Sequence, residues 1–282
     1  MDKGERAETW VGMLRDAGVP VNANTRILDL GCGAGRLVHA GRERGYQFYG
    51  AGVNMHDAHN RADPALVQQG ILRPIEMEPY HIPFEDGFFD ACISDQVFEH
   101  VMDYPTTLRE LHRVLKPGAA FLHLFPGCYR PIEPHVWVPL ACTFRPRWWL
   151  RLWALTGIRN EFQKKLSASE ASAANFKYLT SHTNYLSKRQ LRREFSRNFT
   201  DIDFIEDVFL RNSRRGAKFY KRVRWIPLLP QLYGAFRTRA VFGRRAVSAG
   251  DRETIHPVAD GSRDTPPSAV AARISHLARN GG

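Results

Sequence analysis

The stretch 26–36, RILDLGCGAGR, constrains this chain more than any other. A short apolar run carrying Asp29 near its end breaks into Gly31, Cys32, Gly33, Ala34 and Gly35, and residues 36–44 follow without a proline. A buried strand, a glycine turn and a helix form the first half of a βαβ nucleotide-binding unit. Lacking a Cβ, the glycines let the backbone turn tightly and approach a ligand closely. The helix start behind them offers unpaired N–H groups and positive dipole to a carboxylate or phosphate.

The segments around this unit alternate as an α/β sheet requires. Residues 1–24 give a leading helix with Trp10, Val11 and Leu14 on one face, placed to cover the sheet edge or to close over a ligand. Residues 47–53 read as the second strand, and Asp63-Pro64 as an N-cap with proline at the first helical position. Residues 71–77 read as the third strand and 89–94 as the fourth. A helix over 104–115 carries Leu108, Leu111, Val114 and Leu115, is stopped by Lys116-Pro117-Gly118, and leads into a fifth strand at 119–125. His112 and His123 lie on these structured segments and read as structural.

Spacing selects the ligand. The dinucleotide fingerprint puts its third glycine five positions after the first, whereas here Gly31 and Gly35 are four apart with Asp29 two residues ahead. This D-x-G-x-G-x-G pattern resembles motif I of the class I S-adenosylmethionine (SAM) methyltransferases. Residues 78–90, EPYHIPFEDGFFD, resemble the D-x-x-x-L-P-F-x-D-x-x-F-D run of the methyltransferase type 11 family, the branch that includes ubiquinone and menaquinone methyltransferases. Residues 95–101, DQVFEHV, and the Lys-Pro-Gly ending of the next helix are similar to that family as well.

The resemblance covers residues 25–126. It implies SAM as cofactor, with Gly31, Gly33 and Gly35 around its methionine end and Asp29 supporting the loop or the amino group. Glu78 takes the acid position near the adenine amino group, Ile82 walls the adenine with Pro83 and Phe84, and Asp95 and Gln96 lie beside the sulfonium and the substrate. The position ending the second strand, where the family carries an acid for the ribose hydroxyls, is Asn54 here, with Asp57 as a nearby substitute. Asn keeps the hydrogen bonds and loses the charge. No N-P-P-Y or D-P-P-Y tetrapeptide is present, which argues against methylation of exocyclic base amines.

The family's sheet resumes at 187–198, a helix, then 201–210 as a sixth strand and 239–244 as a last strand antiparallel to it. Residues 127–186 are therefore an insertion, placed as a cap over the substrate. In it, Glu133 and His135 are candidate orienter and base for deprotonating a hydroxyl, with His100 a second substrate-facing candidate. Residues 175–185, with Lys177, Tyr178, His182 and Tyr185, are placed to line a polar pocket. No acidic cluster of suitable spacing indicates a metal.

Charge is uneven: residues 141–250 hold 23 Lys/Arg against 7 Asp/Glu, inside a chain of net charge +11. Residues 145–158 (RPRWWLRLWALTGI) and 221–236 (KRVRWIPLLPQLYGAF) mix tryptophan with arginine, as at a lipid headgroup boundary. No apolar run reaches the roughly 18 residues that span a bilayer. The polar N-terminus and four scattered cysteines fit a reducing cytoplasm.

The expectation is an α/β, Rossmann-like, doubly wound and mostly parallel seven-stranded sheet with a helical cap after the fifth strand. Residues 1–126 form the SAM-binding core, 127–186 the cap, 187–247 the remainder of the core, and 248–282 a disordered tail. The expected enzyme moves the SAM methyl group to a small-molecule, glycan or lipid-linked acceptor, preferably at oxygen, in the cytoplasm and in peripheral contact with an anionic membrane. The alternatives are an RNA-modifying methyltransferase using the basic half, and a non-catalytic module of the same fold.

Overall fold

A computed structural model describes residues 3–53, 55, 61–223, 225, 226 and 228–247. Asn54, Asp57 and the tail 248–282 lie outside the described residues. The leading helix α1 (Lys3–Asp16) precedes β1 (Arg26–Leu30), α2 (Arg36–Arg42), β2 (Gln47–Gly52), α3 (Pro64–Gln68) and β3 (Leu72–Pro74). A small hairpin, β4 (Glu76–Met77) and β5 (Tyr80–His81), leads to β6 (Phe89–Asp95), α4 (Tyr104–Val114) and β7 (Leu115–Pro126). After the insertion come α7 (Lys188–Phe195), β8 (Thr200–Phe204), α8 (Glu206–Asn212), α9 (Arg214–Val223), α10 (Leu229–Phe236) and β9 (Thr238–Arg244). Within the insertion lie α5 (Arg147–Leu155) and α6 (Ala168–Ser181).

The seven-stranded sheet has the order β3-β2-β1-β6-β7-β9-β8. Its first five strands are parallel, and β9 runs antiparallel to both β7 and β8. The expected last strand thus pairs with the sixth and also with the fifth. Strands buried on both faces need apolar side chains on both. From β1, Ile27 packs with Trp10, Val11 and Leu14 of α1, Val38 of α2 and Val208 of α8, while Leu28 faces Leu108 and Leu111 of α4 and Leu191 and Phe195 of α7. This is the doubly wound arrangement.

Local signals set the helix starts. Asp63 accepts the Ala65 N–H at 2.9 Å, Asp103 accepts that of Thr106 at 3.0 Å, and Ser187 and Gln190 form a reciprocal capping box. In α4, Leu108, Leu111 and Val114 are fully buried, as helical spacing requires.

Two expected strands are corrected. Residues 71–77 do not form one strand: β3 ends at Pro74, which has no N–H for the ladder, and 76–77 fold back on 80–81. Residues 201–210 also divide. The Ile205 N–H makes a last bond to the Ala240 carbonyl at 3.0 Å, and α8 begins at Glu206, whose carboxylate is held by Arg239 at 2.7 Å. Both partners are buried, so this ion pair anchors the bend.

The insertion has an apolar cluster of its own, Val136, Val138, Ala141, Leu150 and Leu179, flanked by Trp149 and Trp153. Arg145 donates to the Leu179 and Cys142 carbonyls, and Trp149 Nε1 to the Pro139 carbonyl at 2.7 Å, so part of the Trp-Arg stretch holds the cap together. Trp148, by contrast, is 61% exposed. The second such stretch packs elsewhere, with α10 against α8 and β9.

Candidate active site

The glycine loop leaves the end of β1 and opens beside the end of β6. Gly31 and Gly35 have φ of +78° and +72°, the left-handed region that side chains disfavour. A Cβ at Gly31 would also run into the Val97 side chain, and one at Gly35 into Leu72. The Gly31 and Cys32 N–H groups donate to the Ala51 carbonyl at 2.7 and 3.2 Å, tying the loop to β2. Gly33, φ +53°, completes the turn.

Under this loop lies a cavity of about 200 Å³ lined by Arg6, Asp29, Gly31, Cys32, Ala34, Arg36, Leu37 and Asp95. Arg6, from α1, reaches across to Asp95 at 2.5 Å, so the leading helix does close over the cavity. Asp29 is 5% exposed. Burial pushes its carboxyl up from 3.8 to about 7, Arg6 working against the rise and Asp95 adding to it. Two carboxylates, Asp29 and Asp95, and two guanidiniums, Arg6 and Arg36, line the cavity, so it offers both signs of charge. The carboxylates suit an ammonium or sulfonium, and the guanidiniums a carboxylate. SAM carries all three groups, so the residues present fit it.

Gln96, at the mouth of β6, has φ +58° and donates through its side chain to Asp95 at 3.3 Å. The adenine-side residues are placed differently. Glu78 lies on the exposed turn of the β4–β5 hairpin, and Ile82 is fully buried in the core. Neither lines the cavity under the loop. Arg113 of α4 holds their segment, donating to the Ile82 and Phe84 carbonyls at 2.7 and 2.8 Å, while Glu110 accepts the Ile82 N–H at 3.0 Å.

The catalytic candidates come together from three parts of the chain. Glu133 is completely buried; its carboxylate accepts the His135 and Val136 N–H groups, each at 2.7 Å, and the Tyr185 hydroxyl at 2.6 Å. Burial drives its pKa up, but the bonds from His135, Tyr185 and Val136 outweigh that and hold it below the usual carboxylate range. His135 Nδ1 lies 2.7 Å from Glu133 Oε1, and a carboxylate only accepts, so Nδ1 carries the proton and Nε2 a lone pair. His100 Nδ1 lies 2.7 Å from the His182 carbonyl, which fixes the same tautomer. The two rings meet edge to face at 4.8 Å. Burial lowers the His100 pKa, keeping that imidazole neutral.

Tyr178 flanks His135 at 5.6 Å between ring centres and stacks on His182 at 5.2 Å. Asp95 acts electrostatically on both Asp29 and Glu99, so the loop cavity and the histidine group share one field. His123 is structural, as expected: it is fully buried, bonds Ser94 Oγ at 2.8 Å and stacks on Phe121. Arg6 was not foreseen, because nothing near it in sequence marks a pocket contact. Glu99 lies in the 95–101 run that resembles the family, without a role assigned from the sequence.

Residues 28–123 match the family described as a methyltransferase domain. This stretch is a methyltransferase domain of the type 11 family. Its match begins in β1 and ends in β7, so it holds the glycine loop, Asp95, Glu99 and His100, while His135 and Tyr185 lie outside it. A 2-phytyl-1,4-naphtoquinone methyltransferase of Nostoc punctiforme is 36% identical over 45% of this chain and 56% of its own length. A probable tocopherol O-methyltransferase of Oryza sativa is 30% identical over 42% of this chain and 34% of its own. The chain thus spans about half, or less, of the curated relatives it matches. A phosphoethanolamine N-methyltransferase structure from Haemonchus contortus aligns with 86% of this chain and 52% of its own at 13% identity and TM-score 0.48, too low to carry an argument.

Proposed function

We propose that this protein transfers the methyl group of SAM to a hydroxyl of a small-molecule acceptor. The observation that carries the reading is the cavity in which buried Asp29, Asp95 and Arg6 close over the glycine loop. When bound, SAM supplies an electrophilic methyl on a sulfonium. Asp29 and Asp95 would hold the ammonium end and offset positive charge, Arg6 would take the carboxylate, and α1 would limit water.

The histidine group prepares the acceptor. Glu133 and the His182 carbonyl accept from the two Nδ1 atoms, which leaves each Nε2 with its lone pair. A neighbouring cavity of about 450 Å³ is lined by Arg130, Pro131, Ile132, Glu133, Pro134, Trp137 and Arg237. Apolar Ile132 and Trp137 between two guanidiniums suit an amphipathic acceptor with an anionic or strongly polar end. The quinone and tocopherol named for two relatives favour a phenol or quinol ring. Peripheral contact with anionic lipid, through exposed Trp148 and Trp225, brings such an acceptor within reach.

The test is incubation with methyl-labelled SAM and a panel of hydroquinones, phenols and RNA. The proposal expects label on the aromatic hydroxyls. Label on RNA alone, lost steeply as salt rises, overturns it.

A further inference from the structure

No hydrogen bond from a described residue to its carboxylate accounts for the burial of Glu99. It sits in the single turn Phe98–His100, which follows the end of β6 after two residues, and is 1% exposed. Neither carboxylate oxygen makes a well-aligned hydrogen bond to any described residue. Two other buried carboxylates are paired, Glu206 with Arg239 and Glu133 with four donor groups. A lone buried acid costs several kcal/mol unless something cationic meets it.

The groups facing Glu99 are suited to that role only with an ion between them. The nearest ligand-type atoms of Glu99, His100 and His135 all lie within 4.8 Å of one another. Glu99 Oε1 is 4.0 Å from His100 Nε2. Each imidazole donates through Nδ1 to an oxygen, the His182 carbonyl or the Glu133 carboxylate, which leaves each Nε2 with its lone pair. That outer hydrogen bond is what orients and strengthens a metal-ligating histidine. Glu133 is itself locked by Tyr185 and two backbone N–H groups, so the support extends a second step outward.

We propose that Glu99, His100 and His135 bind a divalent transition-metal ion of the zinc class, through one Glu99 oxygen and the two Nε2 atoms. Bonds of roughly 2.1 Å put tetrahedral ligands about 3.4 Å apart, so side-chain adjustments of about 1 Å close the site. Two imidazoles and one carboxylate select zinc, cobalt, nickel or iron over magnesium and calcium. The spacing of acids along the sequence indicates no metal, because the third ligand arrives from the insertion, 35 positions beyond His100.

Three protein ligands leave a coordination position open, the pattern of catalytic rather than structural sites. This use of the site rests on the methyl-transfer reading; binding of the ion does not. The acceptor hydroxyl would occupy the open position, its pKa lowered by the ion. Its proton leaves to solvent, the oxygen forms a bond to the methyl carbon, and the carbon–sulfur bond breaks with its electron pair returning to sulfur.

The test uses the full chain, stripped with chelator, dialysed, and loaded with Zn(II) or Co(II). One ion retained per chain by elemental analysis, and visible absorption bands from the cobalt form, are expected. Glu99→Gln keeps the shape and removes the buried charge; it should lose at least tenfold in metal affinity with its thermal midpoint not lowered. Glu133→Gln, which weakens the hold on His135, should weaken binding about 10–100-fold. No retained ion in the wild type, or wild-type affinity in Glu99→Gln, overturns the proposal. Calorimetry with S-adenosylhomocysteine (SAH) on the same metal-free protein separates the two readings. A chain that binds SAH and no metal sinks the metal site alone, and one that binds metal and no SAH sinks methyl transfer alone.

Discussion

Replacing Asp29 by Asn should stabilise the protein while disabling it, and the gain should grow with pH. In the folded chain the Asp29 carboxyl titrates near 7 instead of 3.8, chiefly because it is buried. The folded state therefore holds the proton more tightly than the unfolded state. Stability from this group is fully present below the unfolded value and is lost as pH rises through the folded one. A shift of about three units corresponds to about 4 kcal/mol at full ionisation. Asn pays none of it, and any cost of burying its amide does not vary with pH. Urea unfolding of both proteins at about pH 4.5 and pH 7.5 should show the variant's advantage growing by up to about 3 kcal/mol between them. An advantage that is constant, or shrinks as pH rises, would refute the reasoning. The same variant should lose SAH binding, because the carboxylate that burdens the fold is the one that meets the ammonium.

Other perturbations probe separate parts of the account. Gly31→Ala sets a Cβ against Val97 at a φ of +78° and should cost about 1–3 kcal/mol by denaturant unfolding; an unchanged midpoint would contradict the strained-turn argument. Arg6→Ala breaks a half-exposed pair with Asp95, so stability should fall by less than about 1 kcal/mol. Calorimetry should nonetheless show SAH affinity reduced at least several-fold, and equal affinity would remove α1 from the site. Arg239→Met strands buried Glu206 and should cost about 3–5 kcal/mol in urea unfolding; a cost under about 1 kcal/mol would mean the pair does not hold the β8–α8 bend. Trp148→Ala with Trp225→Ala removes two exposed indoles and should abolish cosedimentation with anionic vesicles; surviving binding would end the membrane proposal.

What the sequence disclosed was local. The Ile27–Gly35 stretch carries its own strand, turn and helix signals, and the Asp63 cap acts on an N–H two residues ahead. The apolar spacing of α4 needs no distant partner to be read. Errors fell where tertiary contacts decide. The alternation Ile202, Phe204, Glu206, Val208, Leu210 suits a strand throughout, yet Arg239, far along the chain, captures Glu206 and starts a helix there. Residues 71–77 look continuous until β3 stops at Pro74. Glu133, His135 and His100 were legible as residue types beside a methyl donor, whereas their assembly depends on Tyr185 and on the His182 carbonyl, which only folding brings near. Arg6 and the buried, unpartnered state of Glu99 had no local signature at all.

The central claim is that the cavity beneath the glycine loop holds SAM. Titrating the purified protein with SAH in a calorimeter, beside Asp29→Ala, tests it most directly. The account predicts micromolar binding at one site per chain, with at least tenfold weaker binding in the variant. Absence of heat with the wild type, or equal affinity in the two proteins, would contradict it.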